Sequence, residues 1–273
     1  MIGRLTLIAG SGGLPPLVLA SARRMGAAIQ VIDLAGRSDL DGEANLQLPI
    51  GNAKAISDAV IAFRSTHLVA AGGISISDGD RQSIADALGL PGRLARSLGD
   101  VALAFAFFAH FRLAGVRAIG AHQVVADLLA PEGQFAGPAV HPGMMADGRR
   151  GLAAARAVGK IDLGQSVVMS GGRPIAAEDA EGTDALLLRV ARQRDAGRVG
   201  DGGAALILAK AMKPHQPRFV DLPTIGPQTI DNAAVAGIAA IFVEAGRSLV
   251  MDRAQVAERA SATGISVLGM RHG

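Results

Sequence analysis

The sequence predicts an α/β chain, with an open Rossmann-like parallel sheet in its first part and a separate mixed α/β domain after it. Three observations carry that prediction. Short apolar runs alternate with helical periods from the start to about residue 120, the pattern of strand, crossover helix and parallel strand. The first strand ends in a glycine-rich turn, Gly10-Ser11-Gly12-Gly13, that opens directly onto a helix. Beyond a Pro- and Gly-rich stretch at 128–145 the pattern changes to hairpins mixed with helices.

Taken in order, "RLTLIA" (4–9) and "AAIQVID" (27–33) read as buried strands, with "LPPLVLASARRMG" (14–26) as the helix between them. "NAKAISDAVIAFRST" (52–66) has a helical period and "HLVAAGG" (67–73) is a strand closing on a glycine pair. Helical pattern dominates 80–113, where Phe105, Phe107, Phe108 and Phe111 read as core, and "VRAIGA" (116–121) returns as a strand. Three prolines and three glycines then break the pattern in "LLAPEGQFAGPAVHPGMM" (128–145). The expected division is a Rossmann-like domain over 1–130, a linker over 131–145 and a catalytic domain over 146–273. In the last of these, 152–162 reads as helix and 165–178 as a hairpin turning at Ser170-Gly171-Gly172. A helix over 181–195, a buried strand over 204–211, a second hairpin over 241–251 turning near Gly246, a helix and the strand "ISVLGM" complete it.

The chain has 273 residues, enough for two ordinary cores, and 49% apolar with 19% charged residues is a globular balance. The absence of cysteine excludes disulfides, thiolate catalysis and Cys-ligated metals. "MIGR" runs straight into a patterned strand with no basic n-region or cleavage site, so a cytoplasmic location is expected. The longest strongly apolar stretch, "VALAFAFFA", falls far short of the roughly 20 residues of a membrane span. A net charge of +3, with 27 Lys and Arg of which only four are Lys, suits anionic ligands such as phosphates or acidic headgroups. With no Trp, no Tyr and no basic run, nucleic acid is not an expected partner.

Three stretches could carry chemistry. The Gly10–Gly13 loop offers backbone amides beside a helix N-terminus, where anions are favoured, and "AAGG" (70–73) ends another strand at the same sheet edge. Pro15 stands where a dinucleotide fingerprint needs its third glycine, although Asp33 ends the second strand where an NAD enzyme grips ribose. Around "EDAEGTDALL", Glu178, Asp179, Glu181 and Asp184 cluster at a helix start, as dipole partners or as oxygen ligands for Mg²⁺. In "KAMKPHQPRFVDLPTIGPQTIDNA" (210–233), Lys210, Lys213, His215 and Arg218 precede Asp221 on a proline-stiffened backbone. Such cations neutralise phosphate charge, and an aspartate there can ligate a metal or position water. The histidines lack zinc spacing, and neither a nucleophile elbow nor a Walker A lysine is present.

The succession "LIAGSGGLP", "AGG", "GAHQVVADLLAPEG", "DLGQSVVMSGGRPIAAEDAEGTDALL", "KAMKPHQPRFVDLPTIGPQTI" and "VEAGRSLVMDR" resembles the LpxI-type UDP-2,3-diacylglucosamine pyrophosphatases over nearly the whole chain. The resemblance implies cleavage of UDP-2,3-diacylglucosamine into 2,3-diacylglucosamine 1-phosphate (lipid X) and UMP in lipid A synthesis, with Mg²⁺ as cofactor. It implies a catalytic role for Asp221 and Lys213, with Asp221 and Glu181 on the metal. Gly10, Ser11, Gly12, Gly13, Gly72, Gly73 and Gln123 would line the substrate site from the N-terminal domain, and Thr183 and Asp184 from the C-terminal one. One position departs from the family pattern: Pro217 follows "KPHQ" where an acidic residue is expected. The partners implied are a lipid-linked nucleotide sugar, peripheral contact with the inner membrane and a second copy in a homodimer. Two rival readings are an NAD(P)-dependent oxidoreductase and a non-catalytic regulator that binds nucleotide sugar.

Overall fold

A computed structural model describes residues 2–40, 44–200, 203–214, 216–220 and 222–271. Two compact units divide the chain. The first is Met1–Ala126 together with Pro217–Asp221, and the second is Asp127–Gln216 together with Leu222–Gly273.

In the first unit, strands β1 (Arg4–Ala9), β2 (Ala28–Asp33), β3 (Ala44–Gln47), β4 (His67–Ala71) and β5 (Arg117–Ala118) form a sheet in the order β3-β2-β1-β4-β5. Every pairing in it is parallel. Beyond Arg4, β1 is buried throughout, which is why it reads as an unbroken apolar run rather than an alternation. Its one polar member, Thr6, is satisfied by Gln30 and Ser65. Helix α1 (Leu14–Arg24) starts with Pro15 and Pro16 in its first turn, where no amide donor is needed. Asn52 caps α2 (Ala53–Ala62), and a Ser77–Asp80 capping box opens α3 (Asp78–Ala87). Helices α4 (Gly89–Arg96) and α5 (Asp100–Leu113) follow. Phe107, Phe108 and Phe111 of α5 fill the core with Ile8, Ile32 and Leu68, whereas Phe105 is exposed. Phe219 and Val220 from the returning segment pack against this same core.

The second unit has a six-stranded sheet, built from β6 (Gly133–Ala136), β7 (Ser166–Ser170), β8 (Arg173–Ala177), β9 (Leu206–Lys210), β11 (Ile238–Glu244) and β13 (Ser266–Met270). Its order is β6-β13-β11-β9-β7-β8. Strands β9, β11 and β13 are parallel, and β6, β7 and β8 add antiparallel pairings. Helix α6 (Pro142–Lys160) covers one face, packing Leu152 and Ala155 on Met169, Ile207 and Phe242. Helices α7 (Gly182–Asp195), α8 (Pro227–Ala236) and α9 (Arg253–Thr263) cover the other through Leu186, Ile230 and Val256. Alternate residues of each strand feed the two cores, as the pleat requires. At Gly148 of α6 an added Cβ would lie 2.5 Å from the Phe242 ring, so this glycine lets helix and sheet approach.

Two expectations are corrected here. The hairpin over 165–178 forms, with Ser170 opposite Arg173. The one over 241–251 does not: β11 runs between β9 and β13, and β12 (Leu249–Val250) pairs in parallel with β10 (Thr224–Ile225) in a sheet of its own. The stretch 131–145 is no linker, because it holds β6 and the first turn of α6, with Pro142 at a helix start.

Candidate active-site residues

The two glycine loops of the first unit are stitched together at the carboxyl ends of β1 and β4. The Gly10 amide donates to the Ala71 carbonyl at 2.8 Å, and Ser11 and Gly73 exchange amide-to-carbonyl bonds of 2.8 and 3.0 Å. The contact is tight enough to require glycine: a Cβ on Gly10 would lie 2.3 Å from the Gly73 oxygen. The Ser11 and Gly73 amides are thereby consumed. Those of Gly12 and Gly13 are exposed and have no hydrogen-bond partner among the described residues. Of the four loop amides expected to meet an anion, these two remain available to one.

Asp33, the position suited to a ribose, is 2% exposed and fully engaged. Its oxygens accept from the Ala35 amide at 2.9 Å and the Arg37 amide at 2.6 Å, closing the turn after β2. Arg37 then reaches back to donate to the Gly10 carbonyl at 2.8 Å. Asp33 therefore props the first loop through Arg37 instead of facing a ligand. Gln123 lies in a short 3₁₀ turn after β5, where its side-chain oxygen accepts from the Gly120 amide at 3.0 Å.

His122 lies over Gly120, whose missing Cβ would meet the imidazole Cε1 at 2.5 Å and the Arg218 carbonyl at 2.9 Å. Burial, and secondarily the Arg218 charge, holds the His122 pKa below its ordinary 6.5. A histidine depressed in the fold binds its proton later than in the unfolded chain. Stability is therefore fully present above pH 6.5 and falls as pH drops from there through the folded-state pKa. His67, depressed by burial and by Arg117, adds the same sign. His122→Asn is expected to flatten part of this slope, read as the difference in melting temperature between neutral and mildly acidic buffer.

In the second unit polar groups gather around Lys210, the first of the cations in the 210–233 stretch and one given no separate role by the resemblance. Lys210, 5% exposed at the end of β9, donates to the Thr183 hydroxyl at 2.8 Å and the Thr224 carbonyl at 3.0 Å. Thr183 in turn contacts Ser166 and the Glu178 carboxylate, each at 3.2 Å. The signal for Lys210 was a cation closing the otherwise apolar strand "LILAK". Asp184 is exposed at the start of α7 and accepts from the Asn232 amide at 2.8 Å. Lys213 is bound to Asp162 at 2.6 Å, an ion pair whose acid the sequence reading passed over.

Asp221 and His215 lie outside the described residues. The other expected metal ligand, Glu181, is exposed, with its carboxylate 4.0 Å from Arg189. Its neighbour Asp179 takes the Glu181 amide at 3.0 Å and the Arg189 guanidinium at 2.9 Å, which hold its carboxyl below the usual range. No three His, Asp or Glu side chains converge among the described residues. The acidic run around the start of α7 thus serves Arg189, Thr183 and Asn232.

Comparison with known proteins divides the chain at nearly the same place. Residues 4–128 match the model of the LpxI N-terminal domain, and residues 131–268 match that of the LpxI C-terminal domain. The UDP-2,3-diacylglucosamine pyrophosphatase LpxI of Caulobacter vibrioides is 38% identical, over 98% of this chain and 97% of its own. Among solved structures, the Bordetella bronchiseptica enzyme WbmG, in complex with NAD and UDP, has a TM-score of 0.25 at 20% identity. That likeness covers 37% of this chain and 32% of the other. Thermus thermophilus UDP-glucose 4-epimerase, in complex with NAD, has a TM-score of 0.28 at 16% identity, covering 51% of this chain and 41% of its own. Scores this low bear on neither fold nor ligand.

Proposed function

The chain belongs to the LpxI family, and from that membership we infer that it hydrolyses the pyrophosphate bond of UDP-2,3-diacylglucosamine. The products are lipid X and UMP, and the step belongs to lipid A biosynthesis. The observation that carries this reading is the match of both family domains, together with near full-length identity to a relative of that name.

We propose the following division of labour. A water oxygen forms a bond to one phosphorus of the substrate while the bridging P–O bond breaks, and UMP and the sugar phosphate separate. Such a displacement needs in-line placement and charge neutralisation more than covalent help from the protein. Asp221 orients the attacking water and accepts its proton. Gly12 and Gly13 amides, unpaired among the described residues, supply donors to phosphate oxygens, with Gly10, Ser11, Gly72 and Gly73 shaping the loop. Gln123, Thr183 and Asp184 serve substrate binding. Lys213 adds positive charge, reduced by its pair with Asp162. We propose that Mg²⁺ enters chelated by the substrate's pyrophosphate, where it would neutralise phosphate charge, with Asp221 and Glu181 as the protein groups that would hold it there.

Peripheral contact with the cytoplasmic face of the inner membrane follows from the substrate's acyl chains. Among the described residues no helix is long and apolar enough to cross a membrane. A homodimer completes the proposal, on the family resemblance alone.

The test is turnover of UDP-2,3-diacylglucosamine in detergent. Chelation by EDTA is expected to stop it and added Mg²⁺ to restore it, while Mg²⁺ alone leaves the melting temperature of the ligand-free protein unchanged. Asp221→Ala is expected to lower kcat by about 10³-fold. Undiminished turnover by that variant would overturn the assignment of Asp221, and a Mg²⁺-induced rise in melting temperature would overturn entry with the substrate.

A further inference from the structure

Helix α4 is amphipathic the wrong way round for a helix that packs on its own protein. At about 100° per residue, Leu90, Leu94 and Leu98 fall within one arc of about 80°, Leu98 lying just past the helix end. These leucines are 69%, 60% and 76% exposed. The residues turned into the protein are the small ones, Gly92 and Ala95. Packing enforces this orientation: a Cβ at Gly92 would lie 2.5 Å from the Ala85 carbonyl oxygen and 2.6 Å from the Leu88 Cβ. Only glycine lets α4 sit this close to the end of α3, and that close fit turns the leucines outward.

The charges around the stripe have one sign on the helix itself. Arg93 lies about 60° and Arg96 about 120° around the helix from Leu90, on the same side of the stripe, both are exposed, and α4 contains no acidic residue. Arg96 makes no ion pair among the described residues, and Arg93 reaches Asp86 only at 3.7 Å between two exposed groups. The next helix, α5, packs against α4 and exposes Phe105 and Leu113. Exposed leucines with long arginine side chains along one side of a short surface helix match an interface that is apolar below and anionic at its surface.

We propose that α4 is the surface by which the protein sits on an anionic phospholipid bilayer, with Leu90, Leu94 and Leu98 entering the acyl boundary and Arg93 and Arg96 meeting phosphate headgroups. This deepens the membrane contact of the proposed function and rests on that reading only for its purpose, since vesicle binding can be measured without substrate. The experiment is co-sedimentation of the full chain with phosphatidylcholine vesicles, with and without added phosphatidylglycerol. Wild type is expected to bind the anionic vesicles, less so at high salt. Leu90→Ser/Leu94→Ser is expected to weaken binding by about tenfold or more, and Arg93→Glu or Arg96→Glu by about fivefold each. Turnover in detergent should be unchanged in all of these variants, which keeps the outcome separate from the hydrolase reading.

Wild-type turnover in detergent without vesicle binding would overturn the proposal and leave the function standing. Vesicle binding without turnover would do the reverse. Equal vesicle binding by the double serine variant, or its conversion from dimer to monomer by light scattering, would overturn the proposal, the latter by assigning the stripe to a second copy.

Discussion

Gly72→Ala is expected to cost the N-terminal unit about 3–5 kcal/mol, combining backbone strain with a steric clash. Gly72 has φ +90, a conformation that a side chain disfavours, and its Cβ would lie 2.2 Å from the Ser11 carbonyl oxygen and 3.0 Å from the Gly10 carbonyl carbon. Neither atom belongs to a flexible side chain, so relief requires the two loops to separate, breaking the exchanged Ser11–Gly73 bonds. Gly12→Ala is the matched control: φ is +85 there, but nothing lies within 4 Å of an added Cβ. It should cost about 1–2 kcal/mol from strain alone. Thermal or urea unfolding reads the contrast, and the Gly72 variant should melt several degrees below the control. Equal melting of the two would mean that the loops are not joined as described.

Phe219→Ala is expected to lower kcat by about 10²-fold with little change in KM, because a misplacement of about 1 Å at a reacting group costs that much. Phe219 stacks edge-on against Phe108 of α5, with ring centroids 5.4 Å apart and planes at 78°, and Val220 packs beside it. The segment Pro217–Asp221 belongs to the first unit although the chain on both sides of it belongs to the second. Asp221, the proposed catalytic residue, lies two positions beyond this aromatic anchor in the sequence, and we propose that the anchor holds it in place. On that proposal Phe219 acts as a positioning residue. Its truncation should also cost about 2 kcal/mol of stability. The distinguishing readout is the split between kcat and KM together with rescue by Phe219→Leu. A variant that melts earlier but keeps kcat would reduce Phe219 to packing alone.

How much of this was legible in the sequence follows from what local patterns encode. Strands β1, β2 and β4 are buried apolar runs and announce themselves. Strand β3, "ANLQ", has no such run, because it sits at the sheet edge with its residues largely exposed. The hairpin at Ser170-Gly171-Gly172 is written in its own turn residues, and both glycines adopt positive φ. Gly246 also has positive φ, yet the chain beyond it pairs elsewhere, since a turn residue cannot specify a partner for a strand buried on both faces. The Pro-rich stretch 131–145 reads as a linker because a proline at a helix start and one in a loop are indistinguishable in composition, although the division of the chain does fall beside it, at Ala126/Asp127.

The candidate site shows the same limit. Two glycine loops at the ends of β1 and β4 could be placed on one sheet edge from topology alone. That they consume three of their own amides, those of Gly10, Ser11 and Gly73, is a tertiary fact. Asp33 looked like a ribose ligand by position, and only its bonds to Ala35 and Arg37 show it committed to a turn. Lys210 meets Thr183 across 27 residues of chain, a contact that no spacing rule contains.

The central claim is hydrolysis at the pyrophosphate, and product identity tests it most directly. Purified protein should be incubated with UDP-2,3-diacylglucosamine and Mg²⁺ in detergent, and the phosphorus-containing products resolved by ³¹P NMR and mass spectrometry. The account predicts equal amounts of UMP and lipid X. Release of UDP with a sugar lacking phosphate, or no release by a folded protein that nonetheless binds the substrate, would contradict it.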